Sequence, residues 1–273
     1  MQTPVEQHYS LPHLFENIIA ALEKAGVDKS KITRKELAAT DEFHVRGLEV
    51  TKELASHAGL QQDMKILDVG CGVGGPCRLL ADEYGCFTTG IDITQEYIRT
   101  ATLLSELTGL QDRTNFIQAD ALQLPFENNR FDRVWTQHVQ MNIENKKKFY
   151  AEISRVLKPG GKFIYYDIFS INNEVIHFPV PWAEMASISY LVTTDELHNI
   201  LGTSGLDIIE TTDQTAPGIN FIAAMIDRMK NQDAPPVSLK LIMGDSVGEK
   251  LGNLYQNLIE KKIRLESGVC RKK

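Results

Sequence analysis

The stretch Lys65–Pro76, Lys-Ile-Leu-Asp-Val-Gly-Cys-Gly-Val-Gly-Gly-Pro, leaves this chain few folds to choose from. Ile66, Leu67 and Val69 form a short apolar run that reads as a buried parallel strand. Gly70, Gly72, Gly74 and Gly75 make the following turn glycine-dense, and Cys77–Tyr84 reads as a helix. Strand, glycine turn and helix form the first crossover of a nucleotide-binding sheet, where backbone N–H groups and the positive helix end face a ligand. A Cβ in such a turn would block both the positive dihedrals and the close approach of that ligand.

The alternation continues downstream. Phe87–Ile93, with Asp92 at its end, reads as a second strand, Glu96–Thr108 as a helix closed by Gly109, and Thr114–Gln118 as a third strand. Arg130–Thr136 is a fourth strand, followed by Gln137-His138 and a helix over Lys146–Leu157. Lys158-Pro159-Gly160-Gly161 reads as a tight turn into the most apolar strand, Lys162–Phe169. Five strands at this rhythm imply a doubly wound parallel sheet with right-handed crossovers. Before the sheet, Leu14, Ile18, Ile19 and Leu22 mark an amphipathic helix over Leu11–Ala25; Thr33 caps a short helix, and Glu49–Ala58 is a helix stopped by Gly59. After Ser170 the rhythm changes to a helix (Thr193–Gly205), a strand (Leu206–Thr212), a helical stretch interrupted at Pro235-Pro236, and a last strand over Leu265–Arg271.

A net charge of −7 argues against a nucleic-acid partner, because backbone phosphates need a basic face. No apolar run approaches a membrane span and no signal-like segment precedes the first helix, so a cytoplasmic protein is expected. The four cysteines, Cys71, Cys77, Cys86 and Cys270, show no metal-ligand spacing and read as small buried hydrophobes; no metal is expected.

The glycine turn admits two ligands. Gly70, Gly72 and Gly75 satisfy the G-x-G-x-x-G spacing of dinucleotide sites. Asp68, just ahead of them, argues the other way: a carboxylate there repels a diphosphate and attracts a ligand with an ammonium and a sulfonium, such as S-adenosylmethionine (SAM). Asp92, 24 positions later at the end of the next strand, sits near the offset at which an acid meets ribose hydroxyls. The combination of Asp68, Gly70, Gly72, Gly74, Asp92, Asp120 and Leu157-Lys158-Pro159-Gly160-Gly161 resembles the signature of class I SAM-dependent methyltransferases. Within them it is similar to the small-molecule sarcosine/dimethylglycine N-methyltransferases and quinone-type methyltransferases, through Trp135-Thr136-Gln137 and Asp41–Gly47.

That resemblance implies an α/β fold: a doubly wound, mostly parallel seven-stranded Rossmann-like sheet, with N-terminal helices and a helical cap inserted before the last strand. The seventh strand would slot antiparallel between the fifth and sixth. The corresponding segments are 1–60 covering the active site, a SAM-binding core over 61–215, a cap over 216–264 and a last core strand over 265–273. The cofactor expected is SAM, held by Asp68, Gly70, Gly72, Gly74, Asp92, Ile93, Asp120, Ala121 and Gln137, with Arg46 pairing the SAM carboxylate. Asp120 would accept from the adenine amino group or serve as a helix cap; Ile93 would pack on adenine. His138, His44 and Tyr9 are the catalytic candidates. His138 titrates near physiological pH and is a candidate proton acceptor, against a packed histidine with no chemical role. Trp182 and Tyr190 would line the acceptor pocket or the core. The partner is a small-molecule methyl acceptor, expected to be an amine such as sarcosine or dimethylglycine. His138 stands where that subfamily has an acid, so O- or C-methylation of a quinone, polyketide or terpenoid and a SAM-binding scaffold stay open, as does a homo-oligomer.

Overall fold

The computed structural model describes residues 3–231 and 235–273. Four helices precede the sheet: α1 (Pro4–Tyr9), α2 (Leu14–Lys24), α3 (Arg34–Asp41) and α4 (Gly47–Ala58). α2 buries the stripe that its spacing anticipates, Leu14, Ile18, Ile19 and Leu22. It starts later than Leu11 because His13, directly after Pro12, turns left-handed at φ 61° and breaks the helical run. Thr33 caps α3 through a reciprocal box with Glu36, and Gly59 ends α4 in the left-handed region.

The crossover around the glycine turn runs from β1 (Lys65–Val69) to α5 (Gly75–Tyr84). α5 begins ahead of Cys77 because Pro76 fits a first turn, where an N–H has no intrahelical partner. β2 (Phe87–Asp92), α6 (Gln95–Leu107), β3 (Thr114–Gln118), β4 (Phe131–Gln137), α7 (Lys146–Val156), β5 (Leu157–Ser170), α8 (Thr194–Thr203) and β6 (Leu206–Asp213) follow. The sheet order is β3-β2-β1-β4-β5-β7-β6, with β7 at Ile263–Lys272. β1 to β5 run parallel, and β7 is antiparallel to both β5 and β6, so the sheet is mixed and its last strand lies inside it. Lys158–Gly161 departs from the expected turn: Leu157 pairs with Phe131 and Lys162 with Arg133, so the four residues bulge out between two points of one ladder.

One apolar layer joins β1, β4, β5 and β7 to α4 and α5, and reaches the helices between β6 and β7. The opposite layer joins the strands to α7 and α8 and holds Phe126 and Phe131. A third cluster packs α2 and α3 with Val73 and with Tyr97 and Leu104 of α6, so the N-terminal helices lie over the glycine turn. The segment between β6 and β7 forms α9 (Thr215–Asn231), α10 (Lys240–Met243) and α11 (Val247–Ile259). Their buried residues Ile222, Met243, Leu251 and Leu254 roof the sheet. No helix among the described residues is long and apolar enough to cross a membrane.

Candidate functional site

The carboxyl ends of β1, β2 and β4 open onto a cavity of about 420 Å³. It sits beside the β1/β4 neighbours, where the strand order reverses and open α/β sheets place their ligands. Asp68, Gly70, Cys71, Gly72, Asp92, Ile93, Asp120 and Ala121 line one end, and all were expected there except Cys71. Gly74, also expected, is not on the wall: it takes φ 83°, and a Cβ there would meet the Phe116 ring at 2.7 Å. It serves the turn's packing. Gly75 is held against the N-terminal helices, since an added Cβ would sit 2.0 Å from the Asp41 carbonyl oxygen.

The carboxylates differ in how far the protein satisfies them. Asp92 accepts from the Gly72 N–H (3.1 Å) and the Thr94 N–H (2.9 Å), which braces the glycine turn and leaves further lone pairs for a ligand. Burial still raises its carboxyl above the ordinary range. Asp120 accepts from the Leu122 N–H at 2.8 Å, so it caps its own turn while lining the cavity. Asp68 is nearly unpartnered: the Cys77 thiol at 3.5 Å is its hydrogen bond. Burial raises its carboxyl, that bond opposes the shift and the Asp92 charge adds to it, leaving it pushed up to about 7. A buried carboxylate so poorly compensated is a receptor for a cation.

The N-terminal segment and the β4 loop form the wall above. Arg46 is a correction: its guanidinium bonds Glu49 (2.6 Å), Glu53 (2.8 Å) and Gln214, and it does not line the cavity. Its left-handed backbone at φ 69° opens α4 and turns the side chain toward that helix's own acids. Tyr9 does line the cavity, donating to Asn142 Oδ1 at 2.9 Å, and burial holds its phenol far above the usual range. It straps the N-terminal segment to the β4 loop through that bond. Asn142 in turn donates to the carbonyls of Trp182 (2.8 Å) and Ile188 (2.9 Å), tying the strap to the segment that carries Trp182 and Tyr190. Both of those aromatics line the cavity, and Trp182 is also buried in the core.

Gln137, His138 and His44 meet at the cavity. His138 takes a left-handed φ of 53°, and its Nε2 has no hydrogen-bond partner among the described residues. Burial, then the His44 charge, press its imidazole well below the ordinary value, so it stays neutral at physiological pH rather than titrating there. Its ring centroid lies 4.8 Å from that of Tyr166 and 6.0 Å from that of His44. Gln137 Oε1 accepts from Trp135 Nε1 at 2.7 Å, and its Nε2 donates to Thr51 Oγ at 3.1 Å.

Sequence reasoning missed several contributors. Asp167, near the end of β5, accepts the N–H groups of Val139 (3.0 Å), Gln140 (2.9 Å) and Ile168 (3.0 Å), and so fixes the loop that presents His138. Burial raises its carboxyl to about 6. A lone acid in the most apolar strand was the available signal. Glu42, Thr51 and Asn142 carried no spacing signal, because tertiary folding alone brings them together. The far end of the cavity is apolar, lined by Phe221, Ile222, Met225, Leu239, Ile242, Met243, Leu251 and Leu254 from the helices between β6 and β7. Among the described lining residues there is no lysine or arginine.

Residues 67–165 match the family model described as a methyltransferase domain. A sterol 24-C-methyltransferase of Gibberella zeae is 40% identical over 114 residues, which are 42% of this chain and 30% of that enzyme; the chain thus spans under a third of that curated relative's length. Among solved structures, phosphoethanolamine N-methyltransferase 2 of Haemonchus contortus, in complex with phosphomonomethylethanolamine and S-adenosylhomocysteine, aligns with a TM-score of 0.74 at 17% identity. That alignment covers 99% of this chain and 61% of the nematode chain. A protein of Galdieria sulphuraria provisionally assigned as a sarcosine dimethylglycine methyltransferase aligns at 0.66 and 21% identity, over 82% of this chain and 86% of that one. At these identities the two structures are likenesses of fold.

Proposed function

We propose, from a chain whose residues 67–165 form a methyltransferase domain within the seven-stranded sheet of the class I SAM-dependent methyltransferases, that the protein transfers a methyl group from SAM to the oxygen or carbon of a small, apolar acceptor. The observation that carries this reading is the division of one cavity into an acidic end and an apolar end, with no lysine or arginine among its described lining residues. SAM is the cation the acidic end awaits. Asp92 takes the ribose hydroxyls with the lone pairs its two backbone bonds leave, Asp120 and Ala121 take the adenine edge beside Ile93, and Asp68 takes the ammonium. With Arg46 occupied by glutamates, the cofactor's carboxylate falls to the N-terminus of α5.

The bound sulfonium supplies an activated methyl group, and the rest is placement and dryness. The roof from Phe221 to Leu254 excludes water, while Tyr9, Asn142 and Trp182 fasten the N-terminal segment over the reacting atoms. A carboxylate-bearing amine such as sarcosine or dimethylglycine lacks the cation it would need at this wall, and so does a phosphorylated acceptor. The amine expectation thus yields here to the oxygen or carbon alternative.

Two measurements test this. Thermal unfolding with SAM, S-adenosylhomocysteine and NAD separately should show stabilisation by the first two: a ligand at 100 times its Kd adds about 2.7 kcal/mol. NAD alone raising the melting temperature would return the site to the dinucleotide class. Methyl-labelled SAM offered with apolar phenols and enols, and in parallel with sarcosine, dimethylglycine and phosphoethanolamine, should label the first group; turnover of the amines alone would overturn the acceptor class.

A further inference from the structure

The far end of the cavity is built from three helices, and its chemistry is narrower than apolar. α9 contributes Ile222 and Met225, α10 Ile242 and Met243, and α11 Leu251 and Leu254. The pairs on α9 and α11 are three positions apart, so each shares one face of its helix. α9 packs against α11, and the faces converge on one space. Phe221 is the one aromatic among the eight described side chains that the segment between β6 and β7 sends to the wall, and none of the eight is polar. Ile222, Ile242, Met243, Leu251 and Leu254 are all buried, so a group seated among them is taken out of water. A flat ring is matched by other ring faces and edges. Branched aliphatics and unbranched thioethers instead match a flexible hydrocarbon, because methionine adapts to irregular shapes. Polar groups stand elsewhere on the wall: Gln137 and His138 at the end of β4, with His44 beside them. Trp182 Nε1 gives its hydrogen to Ser189 Oγ (2.9 Å) and the Tyr190 hydroxyl gives its own to the Ser187 carbonyl (3.0 Å), so neither aromatic has a donor left for an acceptor.

We propose that the acceptor is amphipathic: an oxygen-bearing head meets the β4 loop, and an aliphatic tail fills the space between α9, α10 and α11, whose side chains select it by length. This rests on the acceptor class above. Each tail methylene that leaves water for this space raises kcat/KM about fourfold. The gain stops where the space is full, because a further methylene has to stay in water or force a packed wall apart.

The first arm of the test offers methyl-labelled SAM with 4-alkylphenols from methyl to nonyl. The wild type should show kcat/KM climbing about fourfold per methylene to a break. 4-Hexylphenol should outrun 4-phenylphenol, which carries the same number of carbons in a flat frame. Met225→Trp, which takes volume from the tail space, should lower the preference for 4-octylphenol over 4-methylphenol at least about tenfold. Leu251→Ala, which adds volume, should move the break to longer chains. A kcat/KM that is flat along the series, or 4-phenylphenol ahead of 4-hexylphenol, overturns the proposal. The second arm needs neither turnover nor a variant. In protein loaded with S-adenosylhomocysteine and carrying methyl-labelled methionine, 4-octylphenol should move the NMR signals of Met225 and Met243, and phenol should leave both in place. Signals unmoved by 4-octylphenol overturn the tail site. If no phenol is methylated, the acceptor class has failed, and the methionine signals still decide whether hydrocarbon seats between these helices.

Discussion

Asp68 shows how a single buried residue can mark a site for a cation. It is buried with a thiol at 3.5 Å as its hydrogen-bond partner, and its carboxyl rises to about 7 from an ordinary 3.8. A carboxyl raised in this way contributes stability that is full below its unfolded value, near pH 3.8, and lost as pH rises through about 7. Asp68→Asn should therefore approach the wild type in urea titrations near pH 3.5 and exceed it near pH 8, by on the order of 4 kcal/mol. Equal stability at both pH values would mean that the carboxyl is not perturbed. The same variant should bind SAM roughly 10- to 100-fold more weakly above pH 7, the worth of one charged hydrogen bond. In the wild type, SAM affinity should strengthen as pH rises toward 8, with proton release visible by calorimetry in buffers of different ionisation enthalpy. Asp68 was legible in the sequence because strand end and glycine turn fix its place locally. Arg46 was not: the choice between cavity and helix face depended on its left-handed φ and on Glu49, Glu53 and Gln214, which only the fold assembles around it.

At the scale of elements, the informative contact is α3 on α5. The Asp41 carboxylate meets the fully buried Arg78 guanidinium at 2.5 Å, and the Asp41 carbonyl lies against Gly75. The N-terminal helices are thereby bolted to the element that carries the glycine turn. Burial raises the Asp41 carboxyl to about 6 even though Arg78 opposes the shift, so the pair costs desolvation and gives fixed geometry in return. Asp41→Ala should leave a buried cation unpaired and lower stability by about 3–5 kcal/mol, measured from the urea midpoint, and should weaken SAM binding although Asp41 holds none of the proposed SAM groups. Gly75→Ala should do the same more severely, since its Cβ meets backbone. A variant that loses SAM affinity with its stability intact would show that Asp41 meets the ligand directly. Sequence reasoning found both helices, α3 through its Thr33 cap and α5 through the glycine turn ahead of it, signals that act within a turn or two. It could not see them touch, because nothing local encodes a contact 37 residues apart.

The whole molecule is a sheet with two covers, the N-terminal helices and the inserted roof, and Tyr9 ties the first of these through Asn142 of the β4 loop to Trp182 in the segment after β5. If the roof sets acceptor class, Met225→Lys should leave SAM affinity within about twofold and cut turnover of an apolar acceptor at least about tenfold, each tenfold being 1.4 kcal/mol. Loss of both together would mean that roof and cofactor end are not separable. What the sequence by itself determined is the core: the strand rhythm, the glycine turn and the acids at successive strand ends. Those follow from period-two and period-3.6 patterning and from turn chemistry, which act over short stretches of chain. What only the tertiary structure decided is the environment above that core: which imidazole meets a carboxylate, where Arg46 spends its charge, and that the far end of the cavity is apolar. Each of these depends on which distant residues share a buried volume, and burial sets both the cost of a charge and the partner that offsets it.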